Sequence, residues 1–201
     1  MSHFYKHFIL FFSITILSAQ PTFTEHIIST SADVGYSVYS VDLDADGDMD
    51  VLSASFSDDM IAWYENDGSE NFTEHAISTS ADAANHVHVV DVDGDGDMDV
   101  LSASFLDDKI AWYENDGSEN FTEHAISTLA DGARSVYAVD IDSDNDMDVL
   151  SASPIDNKIA WYENDGSESF TEHAISTSAD GALSVYAVDI DADGDIDVLS
   201  A

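Results

Sequence analysis

Apolar and polar positions after residue 21 fall into short runs, none long enough for a helix of more than a turn or two. Ser37-Val-Tyr-Ser-Val41 leads into an acidic stretch, and Val51 to Ser55 leaves it. Met60 to Glu65 (Met-Ile-Ala-Trp-Tyr-Glu) follows a turn at Ser57-Asp-Asp59, and Phe72 to Ile77 follows Asn66-Asp-Gly-Ser69. Each run is rich in β-branched and aromatic residues and is bounded by turn formers, so the pattern predicts four strands. The same order then returns at intervals of 49 residues.

A four-stranded unit of about 40–50 residues is the blade of a β-propeller, in which each sheet buries its faces against its neighbours. The predicted fold is therefore all-β. Full repeats span 31–79, 80–128 and 129–177, and a further one begins at 178 and runs to Ala201. Phe23-Thr-Glu-His-Ile matches Phe72-Thr-Glu-His-Ala, so residues 22–30 read as the last strand of a split blade. Propellers usually have about four to eight blades, so 22–201 reads as an incomplete propeller, a fragment of a longer protein. Trp63, Trp112 and Trp161 recur with the repeat, as do Tyr64, Tyr113 and Tyr162, and these are expected to fill the space between blades. The recurring His26, His75, His124 and His173 are expected on strand surfaces.

The acidic stretch carries the chemistry. Asp42-Leu-Asp-Ala-Asp-Gly-Asp-Met-Asp50 recurs as Asp91 to Asp99, Asp140 to Asp148 and Asp189 to Asp197. Five carboxylates on alternate residues repel one another unless a hard cation takes up their charge. Calcium, with six to eight oxygen ligands at about 2.3–2.6 Å, suits such a loop. Positions 1, 3, 5 and 9 supply carboxylates: Asp42, Asp44, Asp46 and Asp50; Asp91, Asp93, Asp95 and Asp99; Asp140, Asp142, Asp144 and Asp148; Asp189, Asp191, Asp193 and Asp197. Position 7, at Asp48, Asp97, Asp146 and Asp195, is expected to offer its carbonyl and leave its side chain in solvent. Gly47, Gly96 and Gly194 at position 6 permit a positive φ, and Asn145 is the substitute most tolerant of it.

Two other calcium loops are excluded. An EF-hand needs a Glu at position 12, where this chain has Ser53, Ser102, Ser151 or Ser200. A nonapeptide β-roll needs recurrent glycine pairs, and there are none.

The pattern Val-Asp-x-Asp-x-Asp-Gly-Asp-x-Asp-Val-Leu, then Ile-Ala-Trp-Tyr-Glu-Asn-Asp-Gly, then Phe-Thr-Glu-His resembles the FG-GAP/VCBS repeat family. The resemblance covers residues 22–201. It implies a calcium-carrying propeller with about one ion per repeat, its ligands falling on the Asp positions named above. The family is loose in function, including adhesins, lectin-like modules and propellers attached to enzymes. The implied role is a secreted or cell-surface adhesion or ligand-binding module with an extracellular protein or glycan partner. The alternatives are a scaffold or accessory domain of a polysaccharide-degrading enzyme, or a multivalent lectin.

Charge narrows the partners. The loops hold five acidic residues each of the chain's 42, against 4 Lys plus Arg, for a net charge of −38. A nucleic-acid partner needs a basic face, which this composition excludes. Met1 to His7, the apolar run Phe8 to Leu17 and Ser18-Ala-Gln20 read as a secretory signal peptide over 1–20. The apolar run is too short to cross a bilayer, so no transmembrane span is expected in the mature chain. With no cysteine, stability must come from packing and metal.

A catalytic site in a repeat protein should show as departures from the repeat. The departures are Asn85, His86, His88, Leu106, Lys109, Arg134 and Pro154, and no nucleophile stands beside a unique base. No catalytic residue is assigned, and the chain is read as a non-enzyme. His86 and His88 project from one face of a strand, either as a surface pair, the plainer reading, or as metal ligands. Asn71-Phe-Thr73 and Asn120-Phe-Thr122 are glycosylation sequons.

Overall fold

Every apolar run bounded by turn residues becomes one strand of an antiparallel meander. The computed structural model describes residues 22–201, so the signal peptide expected over 1–20 lies outside the described residues. The first sheet comprises β1 (Gly35–Val41), β2 (Asp50–Ser55), β3 (Met60–Asn66) and β4 (Phe72–Ser78). The second comprises β5 (Ala84–Val90), β6 (Asp99–Ser104), β7 (Lys109–Asn115) and β8 (Phe121–Ser127). The third comprises β9 (Ser135–Val139), β10 (Asp148–Ser153), β11 (Lys158–Asn164) and β12 (Phe170–Ser176). β13 (Val185–Val188) and β14 (Asp197–Ser200) form a two-stranded sheet. In the four-stranded sheets the strands lie side by side in chain order.

The sheets stack as blades of an arc, meeting through their inner strands, β1 on β5, β5 on β9 and β9 on β13. Stacking explains why β6 and β10 are buried along their whole length: a central strand covered on both faces has no polar side to offer water. Trp63 packs in one core cluster with Tyr113 of the next blade, and Trp112 packs likewise with Tyr162. These aromatics fill the interblade space, as their recurrence suggests. Trp161 is only partly buried, since β13 and β14 alone cover its side.

A clasp fixes the spacing of successive blades. Asp59, in the β2–β3 turn, takes φ 56°, and its carbonyl and Oδ1 accept the N–H groups of Ala81 at 3.1 Å and Ala83 at 2.9 Å. Asp108 grips Ala130 and Gly132 in the same way, and Asn157 grips Ala179 and Gly181. Asp and Asn suit the position because they tolerate the left-handed region and carry an acceptor on a short side chain close to the backbone.

Residues 22–30, read from the sequence as an outer strand, form no ladder in the described chain. The hydroxyls of Ser29 and Ser31 instead reach Glu74 on β4. A correction concerns His86 and His88. They are not a surface pair: both lie on the inner strand β5 and line a cavity at the axis of the arc. A strand that is an edge within its own sheet faces the axis here, so its outward side chains meet those of the neighbouring inner strands.

Candidate metal centre

Each β1–β2 type loop is curled by its own carboxylates. Asp42 Oδ2 accepts the N–H of Gly47 at 3.0 Å, Asp44 Oδ1 that of Asp46 at 3.1 Å, and Asp46 Oδ1 that of Asp48 at 2.9 Å. Such bonds to the backbone a few residues on are what Asp contributes to turns. Two residues of the loop take positive φ: Ala45 at 59° and Gly47 at 98°. The third loop keeps the same course with Ser143 at 66° and Asn145 at 80°, so the turn expected of Asn145 does form.

The ninth residue anchors the loop from below. Asp50 is fully buried; its Oδ2 accepts Leu43 N–H at 3.0 Å and its Oδ1 accepts Asn66 N–H, at the end of β3, at 2.8 Å. Asp99 and Asp148 repeat both bonds, with Val92 and Asn115 and with Ile141 and Asn164. Asp197 keeps only the bond from Ile190.

The curl brings positions 1, 3 and 9 together. Oxygens of Asp42, Asp44 and Asp50 lie within 4.8 Å of one another, as do those of Asp91, Asp93 and Asp99, of Asp140, Asp142 and Asp148, and of Asp189, Asp191 and Asp197. The carboxylates of position 5, Asp46, Asp95, Asp144 and Asp193, stand outside these groups, and each caps the amide two residues on. At position 7 the side chains of Asp48, Asp97 and Asp146 are half-buried instead of solvated. They lie against Gly68, Gly117 and Gly166 in the β3–β4 type turns, where any Cβ would collide with the carboxylate. Asp195, with no such turn beside it in the described chain, is exposed.

Among the described residues nothing positive offsets this charge. Lys109 pairs with Asp107 and Glu123, Lys158 with Asp156 and Glu172, and Arg134 lies over the Phe105 ring. Burial pushes the Asp99 carboxyl up to about 6, against the opposing pull of the Asn115 and Val92 amides. The Trp112 indole N–H is close enough to favour the Asp99 carboxylate but does not reach hydrogen-bond geometry. Burial raises Asp148, and desolvation with neighbouring carboxylates raises Asp44, Asp93 and Asp142. Asp42 Oδ1 is buried with no partner at all. Three converging carboxylates with no basic partner among the described residues fit a cation, and an all-oxygen donor set fits a hard one.

The pattern of the FG-GAP-like repeat matches the chain in three overlapping windows, residues 42–102, 91–151 and 140–200. The chain belongs to the FG-GAP-like repeat family. Each window runs from one Asp loop through the next and into the strand that follows it, and the window starts 42, 91 and 140 keep the 49-residue period of the chain. Among curated proteins no match was found. Among solved structures, the FG-GAP-like chain is similar to virginiamycin B lyase from Staphylococcus aureus, with TM-score 0.53 and 14% identity over 79% of this chain and 47% of that one. A catalytically inactive variant of that lyase with quinupristin gives TM-score 0.54 and 15% identity over 80% and 48%. The chain thus spans about half the length of these structures, and at such identity the likeness is one of fold.

Two parts of the FG-GAP-like site escaped the sequence reading. Asn66, Asn115 and Asn164 were read only as turn residues, yet their amides hold the ninth Asp and their side chains bond the carbonyls of Met49, Met98 and Met147. Their recurrence in Tyr-Glu-Asn-Asp-Gly was the available signal. The positive φ of Ala45 carried none, because alanine does not advertise it.

Proposed function

We propose that the chain is a calcium-binding propeller module that serves binding or adhesion outside the cell, with no catalysis of its own. The observation that carries this reading is the fourfold group of Asp carboxylates, each built round an Asp that accepts backbone amides and has no basic partner. Calcium is the hard cation that takes such oxygen ligands in a flexible loop. With the ion bound, Asp42, Asp44 and Asp50 and their counterparts hold it, and it removes repulsion that the folded loop otherwise carries. Four ions cancel eight of the 38 net negative charges, so the loaded module stays acidic and soluble.

Identical ions in every blade suit structure, and the ninth Asp couples the ion to the ladder through β3. Recognition of a protein or glycan then falls to rim residues that differ between blades. The signal-peptide-like start favours an exported chain, and without disulfides such a chain draws its stability from packing and metal. Thermal unfolding with excess Ca²⁺ and with excess EGTA tests the calcium part: chelation is expected to lower the melting temperature substantially. An unchanged melting curve would end it. Retention of the secreted chain on cells or immobilised glycans, lost in EGTA, tests the binding part.

A further inference from the structure

We propose that His86 and His88 form a site for one borderline divalent cation, of the Zn²⁺, Cu²⁺ or Ni²⁺ type, on the wall of the axial channel. Residues two apart on a strand share a face, and both imidazoles line one cavity of about 480 Å³ with Ser37, Tyr39, Ser135 and Tyr137. The corresponding positions elsewhere are Ser37, Ser135 and Ser184, and Tyr39, Tyr137 and Tyr186. Ser and Tyr therefore satisfy the fold at these places. Only β5 departs, at both positions at once, and the two departures are adjacent in space.

His88 sits between Tyr39 and Tyr137, with ring centroids 5.4 Å and 4.9 Å away, which fixes its orientation. His86 leans toward the Val136 backbone of β9, while its Nδ1 is buried without any partner. A ring nitrogen without a hydrogen-bond partner leaves a lone pair uncommitted, as a metal ligand requires. Burial lowers the proton affinity of both rings, so the lone pairs are available at neutral pH.

Donor chemistry separates this site from the loops. No carboxylate lines the cavity, so it offers nitrogen where calcium wants oxygen. Two protein ligands leave coordination positions for water or for a small ligand entering the channel.

The test uses the full chain in excess Ca²⁺, so that the Asp loops are filled, with Cu²⁺ as probe because imidazole sites bind it most tightly of the series. Titration is expected to give one tight copper per chain, with electron paramagnetic resonance showing two coupled nitrogens. His86→Ser and His88→Tyr install residues that the other blades already carry, so both variants should fold. Each is expected to lose at least about tenfold in affinity together with one nitrogen coupling. A triple variant, His75→Ala with His124→Ala and His173→Ala, should keep the wild-type signal. Copper binding unchanged in the His86→Ser/His88→Tyr double variant overturns the proposal, as does a wild-type spectrum with fewer than two nitrogens. Calcium-dependent melting in the same double variant reports on the loops separately.

Discussion

Asp99 Oδ1 accepts the backbone N–H of Asn115 at 2.8 Å, so the residue that ends the second Asp loop also closes the far end of β7. Its other oxygen takes the Val92 N–H at the start of the same loop. One carboxylate thereby joins three segments of a blade, and the pairs Asp50 with Asn66 and Asp148 with Asn164 repeat the 2.8 Å contact. The ninth Asp is a structural residue before any ion arrives.

Replacing Asp99 by Ala should therefore cost stability even without metal. Two buried amides lose their acceptor at roughly 1–3 kcal/mol each, giving a loss of about 2–6 kcal/mol in EGTA. Asp95→Ala removes only an exposed cap on the Asp97 amide and should cost under about 1 kcal/mol there. Urea unfolding of the two variants, with and without Ca²⁺, makes the comparison. Equal losses in EGTA would show that the buried carboxylate is no anchor.

Position 4 of the loop gives a second prediction. It takes positive φ in every copy, at Ala45, Gly94, Ser143 and Ala192, but only the second copy has the residue that does so without strain. Ala45→Gly should stabilise the chain by about 1 kcal/mol, and Gly94→Ala should destabilise it by a similar amount. A Cβ on Gly94 meets nothing within 4 Å, so the second change isolates backbone strain from packing. Opposite shifts in the urea midpoint are the expected result; shifts of one sign would refute the backbone account.

These two cases mark where sequence reading succeeds and where it stops. The strand runs, the acidic loops and the turn at Gly47 or Asn145 were legible because each is local: side-chain period, turn chemistry and charge crowding all act within about ten residues. What was not legible is settled between segments. Asp48 was expected in water, and only the approach of the Gly68 turn draws it in. Tyr39, His88, Tyr137 and Tyr186 lie along the axis with successive centroids 5.4, 4.9 and 4.8 Å apart. The repeat hid that ladder because His88 interrupts the tyrosine series, and so His88 was grouped with surface departures.

The tryptophans separate a packing role from a ligand platform. Trp112 is fully buried between two blades, with His124 stacked on it at 4.7 Å and Glu114 holding that histidine at 2.7 Å. Trp112→Ala should cost about 3–5 kcal/mol, as for other large core truncations. His124→Ala, which uncovers the outer side of the indole, should cost about 1 kcal/mol. Differential scanning calorimetry in Ca²⁺ reads both. A Trp112→Ala protein that melts like the wild type while losing a glycan would assign the indole to recognition.

His88 supplies a pH dependence with a definite sign. Burial, and then the neighbouring His86, push its proton affinity down to about 4 from the ordinary 6.5. Between those values the unfolded chain binds a proton that the folded chain does not, so stability rises with pH across that window. The contribution is complete above pH 6.5, is lost as the pH falls toward 4, and amounts to about 3 kcal/mol at most. Other groups titrate in the same range, the buried Asp99 with the opposite sign, so the quantity to measure is the difference between wild type and His88→Tyr. In Ca²⁺-saturated buffer free of transition metals, the variant should gain stability relative to wild type as the pH is lowered from 7 to 4.5. A difference that stays flat across that range would mean that His88 protonates in the folded channel as easily as in the unfolded chain.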